Sequence, residues 1–330
     1  MTDLVSFEAV LAWVAQAIPA ASVIEQPALN RVLAAPVTAP YALPPCPVAL
    51  MDGIALMAAA TNGASEYAPA RVPGRPVMAA ASLRPDEDAV VPASWVDMAD
   101  GTASVTSPVA CGTGRLDTGA IVAAGAEALA AGTLLGPPCL GLLAALGLGR
   151  VALVRQPRVA VLGDSPLLAA CIVQDGGIVE HLPGPDDNGL SWARAGGFDL
   201  ILTHYPAPGV AFTQGLPVAP GAAAGFGMID GVPAVLVPPG LEDALAAYRL
   251  LARPILRRAA GLPMPSTTAR LTTALSSPLG IAMLVWIRVA DGVAIPAGPG
   301  LMAATTANGH VLIPPNSEGL PAGATVTVWT

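Results

Sequence analysis

Pro157–Leu182, PRVAVLGDSPLLAACIVQDGGIVEHL, decides the fold. Val159–Leu162 is a short β-branched run, Gly163-Asp164 a turn, Pro166–Gln174 a helix, Asp175-Gly176-Gly177 a second turn and Ile178–Leu182 a second strand. Ser165 fits the helix N-cap with Pro166 at the first helical position, where its missing N–H costs nothing. Downstream, FDLILTHY (198–205) and VPAVLVPP (232–239) read as buried strands, and LEDALAAYRLLARPILRRAAG (241–261) as a helix. That helix has Glu242-Asp243 in its first turn, Arg257-Arg258 in its last and Gly261 at its end, as the helix dipole favours. Alternating strands and helices predict a doubly wound α/β domain over 155–261.

On the N-terminal side, SFEAVLAWVAQAIPA (6–20) places Phe7, Val10, Leu11 and Val14 on one face of a helix, and ALNRVLAAPV (28–37) reads as a second helix stopped by Pro36. Residues 45–115 are short β-like pieces with turn signals at Pro73-Gly74, Asp100-Gly101 and Gly112-Thr113-Gly114, and helix returns at 137–148. After a Pro/Ser/Thr-rich linker (262–269) come short strands with turns at Asp291-Gly292, Asn308-Gly309 and Ala322-Gly323. The expected α/β multidomain architecture is a helical, dimerising region (1–44 plus 115–154), an inserted small β domain (45–114), the α/β domain (155–261) and a C-terminal β domain (262–330).

Composition restricts the function. Of 330 residues, 15 are basic and 23 acidic, giving a net charge of −8, and every basic residue is arginine: the chain has no lysine. A field of that sign repels phosphate backbones and argues against nucleic-acid or anionic-membrane partners. Mean hydropathy is +0.62, yet Gly136-Pro137-Pro138 interrupts the uncharged run 128–149, and no basic, apolar, cleavable leader opens the chain. The expectation is a cytoplasmic protein. Cys46, Cys111, Cys139 and Cys171, like the three histidines, are too scattered for a thiolate or zinc site. VAVLGDSP is the obvious nucleotide-binding candidate, but it lacks GxGxxG and GxxxxGK[ST], and Asp164 would repel phosphate. On the residues alone it reads first as a capped helix packed on a sheet.

Three strings carry a resemblance. ALNRVLAAPVTAPYALPP (28–45) followed by Met51-Asp52-Gly53, AGTLLGPPCLGLLAALGLGRVALVRQPRVAVL (131–162), and ANGHVLIPPNSEGLPAGATVTVWT (307–330) stand in one order. Together they resemble the molybdopterin molybdenumtransferase family, which includes MoeA and the gephyrin E domain. The resemblance implies a four-part fold, a homodimer, and insertion of molybdenum from molybdate into adenylylated molybdopterin, with release of AMP and help from Mg²⁺. By the same resemblance Asp52 is the catalytic and Mg²⁺- or molybdate-positioning residue, and Gly53, Ser165, Asp186 and Asp187 are cofactor-binding. Asp52-Gly53 also reads as a plain turn, and Asp186-Asp187 as a cap for a helix running to Ala195.

Departures from the family pattern are as informative. Its M-T-G-A-P motif reads Met78-Ala79-Ala80-Ala81-Ser82, and G-E-D reads Gly119-Ala120-Ile121. S-T-G-D-E-L reads Gly163-Asp164-Ser165-Pro166-Leu167-Leu168, and S-G-G-x-S is replaced around Thr203-His204-Tyr205-Pro206. K-P-G-K-P reads Ala219-Pro220-Gly221-Ala222-Ala223, and P-G-N-P reads Pro238-Pro239-Gly240-Leu241. Alanine cannot hold a phosphate, and losing one transition-state donor costs about 10²–10³ in rate. The expected function is therefore molybdenum-cofactor biosynthesis or handling with weakened or lost catalysis. The alternative is a pterin-binding or partner protein that presents cofactor to a molybdoenzyme or heterodimerises with a complete family member. Arg155 and Arg194 are the arginines that could take over anion binding.

Overall fold

A computed structural model describes residues 6–15, 20–185 and 188–330. The chain divides into two compact units, Glu25–Leu29 with Ala35–Val151, and Met1–Ile24 with Asn30–Ala34 and Ala152–Thr330.

In the first unit, two three-stranded antiparallel sheets enclose a small core. One has Gly53–Leu56 between Arg75–Val77 and Ala89–Val91; the other has Thr102–Val105 between Ala70–Pro73 and Val96–Ala99. Ile54, Leu56, Val72, Val91, Ala103 and Val105 pack together between them. Asp100-Gly101 turns the second sheet with both residues at positive φ (50° and 75°), the geometry this dipeptide tolerates best. The helix expected at 137–148 is Pro137–Ala145, and among the described residues no helix is long and apolar enough to cross a membrane.

The second unit opens with α1 (Phe7–Ala15), whose Val10, Trp13 and Val14 are buried; residues 16–19 of the expected helix lie outside the described residues. The expected helix at 28–37 does not form. Asn30 sits at φ 60°, Pro27 and Pro36 bound the stretch, and Leu33 bridges Leu153 as extended backbone. Burial through strand-like pairing overrides the helix propensity of Leu and Ala here.

The α/β sheet contains β1 (Arg158–Leu162), α2 (Pro166–Gln174), β2 (Ile178–Leu182), α3 (Gly189–Ala195), β3 (Leu200–Thr203), β4 (Phe212–Gln214), β5 (Gly225–Ile229) and β6 (Val232–Leu236). Its order is β2-β1-β3-β6-β5-β4, parallel through β6 and antiparallel at β5 and β4. Strand alternation divides the core. Val159, Val161, Leu200 and Leu202 face Leu168 and Ile172 of α2, while Ala160, Leu162 and Ile201 face Leu190 and Ala193 of α3. Helices therefore cover both faces, as the doubly wound reading requires. The long C-terminal helix is α4 (Leu241–Ala247), a π-helical turn at Tyr248–Ala252, and α5 (Arg253–Ala259), ended by Gly261 at φ 71°.

The remaining residues close a barrel from β7 (Ser266–Leu271), β8 (Ala282–Ala290), β9 (Val293–Pro296), β10 (Gly309–Ile313) and β11 (Thr325–Trp329), with β8 pairing both β9 and β10. A short helix, α6 (Leu301–Thr306), stands where only strands were expected. Gly309, expected in a turn, lies in β10, where a Cβ would stand 2.8 Å from the Trp329 carbonyl oxygen. The acidic first turn of α4 does more than complement a dipole. Glu242 Oε1 accepts from Trp286 Nε1 (3.2 Å) and the Gly300 amide (2.8 Å), and Asp243 Oδ1 accepts from the Gly221 amide (2.7 Å).

Candidate functional site

Strand order reverses between β1 and β3, and a cleft opens where the chain leaves their carboxyl ends, the place an open α/β sheet reserves for ligands. It encloses about 440 Å³ and is lined by Gly163, Asp164 and Ser165 after β1, His204 and Tyr205 after β3, and Pro239 and Leu241 at the start of α4. That volume suits a small organic ligand. Ser165 is buried and makes no side-chain cap bond, so its hydroxyl remains available at the opening turn of α2. The N–H groups of Leu167 and Leu168 have no acceptor within that helix. Among the described residues no arginine lines the cleft, and Asp164, with its side chain 88% exposed, is the acidic residue of the lining. His204 Nδ1 lies 3.2 Å from the Val237 carbonyl oxygen, and His181 Nδ1 lies 3.2 Å from that of Gly163.

The lysine-less loop is built firmly. Gly221, at φ 107°, donates its amide to Asp243, and Ala222 accepts from the Leu216 amide at 3.0 Å. Ala222 is exposed and Ala219 half-buried. The two arginines expected as substitutes are occupied elsewhere. Arg155 pairs with Asp199 at 2.7 Å beside the amino ends of β1 and β3, the sheet edge opposite the cleft, and Arg194 pairs with Asp230 at 3.3 Å.

In the other unit Asp52 is exposed and its Oδ1 accepts the Ala79 amide at 2.7 Å. Around that bond the Ala80 amide donates to the Ala49 carbonyl (2.8 Å) and the Ala49 amide to the Ala81 carbonyl (2.9 Å). Thus Met51-Asp52-Gly53 and Met78–Ser82 are clasped together, Asp52 and Ala79 being 27 residues apart. Gly53 has a packing reason of its own, since a Cβ there would lie 2.2 Å from the Val91 carbonyl oxygen. Asp52 offers one further carboxylate oxygen. No cluster of three or more His, Cys, Asp or Glu side chains gathers as a metal cage among the described residues. These residues do not by themselves fit a resident Mg²⁺. Asp186 and Asp187 lie outside the described residues.

Known proteins share this fold. Residues 5–147 match the family model described as MoeA N-terminal region (domain I and II). Molybdopterin molybdenumtransferase 2 of Mycobacterium tuberculosis is 27% identical over 92% of this chain and 93% of its own length. The crystal structure of the molybdopterin biosynthesis MoeA protein from Pyrococcus horikoshii superposes with a TM-score of 0.81 at 22% identity, covering 99% of both chains. The molybdenum cofactor biosynthesis protein from Pyrococcus furiosus gives 0.65 at 20% identity over 98% of both. Residues 5–147 carry the MoeA N-terminal region, and the whole chain has the MoeA fold.

Within that MoeA N-terminal region one turn keeps a costly backbone. Ala80, standing where the family motif has glycine, adopts φ 65°, a left-handed backbone that costs an L-residue roughly 1–2 kcal/mol. The turn keeps the glycine geometry without the glycine. Substitution M-T-G to Met78-Ala79-Ala80 was visible in the sequence; the conformation that makes it costly was not.

Proposed function

We propose that the chain serves molybdenum-cofactor biosynthesis, binding a pterin phosphate such as adenylylated molybdopterin at the carboxyl-edge cleft and inserting molybdenum only slowly. The observation that carries this reading is the cleft itself. The doubly wound sheet, the α2 N-terminus and the start of α4, to which the Gly221 loop is anchored, supply its frame, while the described lining supplies no lysine or arginine. Binding then rests on backbone N–H groups, the Ser165 hydroxyl and His204, which orient a phosphate without the full charge needed to stabilise pyrophosphate cleavage. Asp52 acts as a backbone clasp for the Ala79 turn, and any catalytic part it takes is through its second oxygen.

The test is AMP release from adenylylated molybdopterin with molybdate and Mg²⁺, beside a lysine-bearing relative. The expected result is a rate at least 10²-fold below the relative's, with measurable binding of the adenylate. An equal rate would overturn the weakened-catalysis reading. Loss of that rate in Asp52→Ala, with folding retained, would then place the chemistry at Asp52.

A further inference from the structure

The carboxyl-edge cleft is furnished for a ring as well as for a phosphate. Among its described lining residues stands one carboxylate, Asp164, with no arginine or lysine beside it. When ionised, that group only accepts hydrogen bonds. His181 Nδ1 lies 3.2 Å from the Gly163 carbonyl oxygen and 3.9 Å from Asp164 Oδ1. A carbonyl can only accept, so Nδ1 carries the proton and the imidazole ties down the turn. Asp164 itself makes no hydrogen bond among the described residues, and its side chain is 88% exposed. A free carboxylate on a pinned turn presents two oxygens side by side, the geometry that receives two parallel N–H groups.

Tyr205 supplies a flat face to the same cavity. It is 63% exposed, and Leu241 of the same lining is 56% exposed. The backbone under Tyr205 is nevertheless fixed. Thr203, fully buried at the end of β3, donates its hydroxyl to the Tyr205 carbonyl (2.7 Å) and accepts the Tyr205 amide (3.3 Å). Pro206, next in the chain, confines Tyr205 to extended backbone. An aromatic side chain with two rotatable bonds on a pinned backbone loses little entropy when a flat ligand covers it.

Resting on the reading that this cleft takes a pterin phosphate, we propose that Asp164 and Tyr205 recognise the pterin ring itself, by its 2-amino-4-oxopyrimidine edge and its face. The 2-amino group and N3–H of that edge stand side by side and both donate, which matches the two oxygens of Asp164. Adenine fails the match, because its amino group stands beside a ring nitrogen that accepts and would meet the carboxylate lone pair to lone pair. The bicyclic ring covers Tyr205, and Pro239 and Leu241 add apolar lining. Asp164, which only opposes a phosphate, thereby gains a positive part in binding, and the selectivity of the cleft rests on neither lysine nor arginine.

The experiment titrates the full chain at neutral pH with neopterin, a pterin without phosphate, and with adenosine, by calorimetry. Expected is saturable binding of one neopterin per chain, with adenosine weaker by about tenfold or more. Tyr205→Ala should weaken neopterin roughly tenfold, as loss of a stacked aromatic does, and Tyr205→Phe should retain it. Asp164→Asn sets a donor against one of the two ring donors, so it should cost neopterin about tenfold and narrow the gap to adenosine. Both side chains are exposed and neither makes a hydrogen bond among the described residues, so these variants should fold as the parent does. Equal affinity for neopterin and adenosine, or neopterin affinity untouched in Asp164→Asn or Tyr205→Ala, would overturn the proposal. So would tighter binding of guanosine or of free arginine, each of which presents paired N–H donors. Adenylylated molybdopterin is titrated alongside. If it binds and neopterin does not, the ring assignment fails and the reading of the cleft stands; if neither binds, both fail.

Discussion

Asp175 Oδ1 receives Arg253 Nε–H at 3.0 Å with the two side chains 3% and 5% exposed, so the end of α2 is tied to the start of α5 by a sealed ion pair. Removing the acid would leave Arg253 charged and buried, with Tyr248 Oη keeping only its bond to the Cys171 carbonyl and Arg257 only its bond to the Pro263 carbonyl. Breaking one partner of a buried pair costs about 3–5 kcal/mol. Asp175→Ala is expected to lose stability of that order in denaturant unfolding of the second unit. Tyr248→Phe, which keeps the ion pair, should lose only about 1 kcal/mol. Equal small losses in both variants would mean that the guanidinium groups find solvent.

Ala80 and Gly53 give opposite expectations in one turn region. Ala80→Gly relieves the positive φ and should stabilise the first unit by about 1 kcal/mol. Gly53→Ala would set a Cβ against the Val91 carbonyl, and at a backbone-blocked site the loss should reach about 2 kcal/mol or more. Thermal melting of the two variants checks both signs.

These contrasts show what the sequence made legible. The sequence placed Ile178–Leu182 and Pro166–Gln174 correctly, because the turn at Asp175-Gly176-Gly177 between them and the Pro166 start are local signals. ALNRVLAAPV misled because its Leu and Ala fit a helix, whereas Leu33 is extended against Leu153, a partner 120 residues away. The Asp175 network was hidden for a similar reason. Asp175-Gly176-Gly177 reads as a turn and Arg257-Arg258 as a dipole end, and their meeting depends on how α2 packs on the long helix. For the cleft, the missing lysines were visible in advance, but the anchoring of their loop by Asp243 was not.

His310 makes stability pH-dependent with a definite sign. Burial, then the charges of Arg249 and Arg253, lower its pKa from an ordinary 6.5 to about 3, partly offset by the Trp329 backbone. Arg249 and Arg253 face it from the helix, and Trp286 and Trp329 from the barrel strands. The unfolded chain binds this proton below about pH 6.5 and the native chain only near pH 3. Stability from a neutral His310 is therefore full above that range and declines as pH falls between the two values. His310→Gln should flatten the difference in urea midpoint between pH 7 and pH 4. An unchanged slope would assign the acid loss to carboxylates such as Glu87, whose pKa is held low by Arg75.

The lysine-less loop permits the most direct test of the cleft. Ala222 is exposed, and its carbonyl, not its side chain, carries its bond to the Leu216 amide, so Ala222→Lys should fold without loss. Gly221 remains clasped by Asp243 beside the α4 start that lines the cleft, which keeps the new ammonium on a fixed frame. A charge-assisted bond to a phosphate contributes about 1.5–3 kcal/mol, so affinity for adenylylated molybdopterin should rise roughly ten- to a hundredfold. The gain should shrink at high salt, because an exposed ammonium is screened. If that lysine also meets the charge developing in the transition state, AMP release at saturating substrate rises with it; if only affinity rises, its contribution is to ground-state binding. No change in affinity at either salt concentration would remove the 219–223 loop from the ligand site and leave Ser165 and His204 as its polar frame.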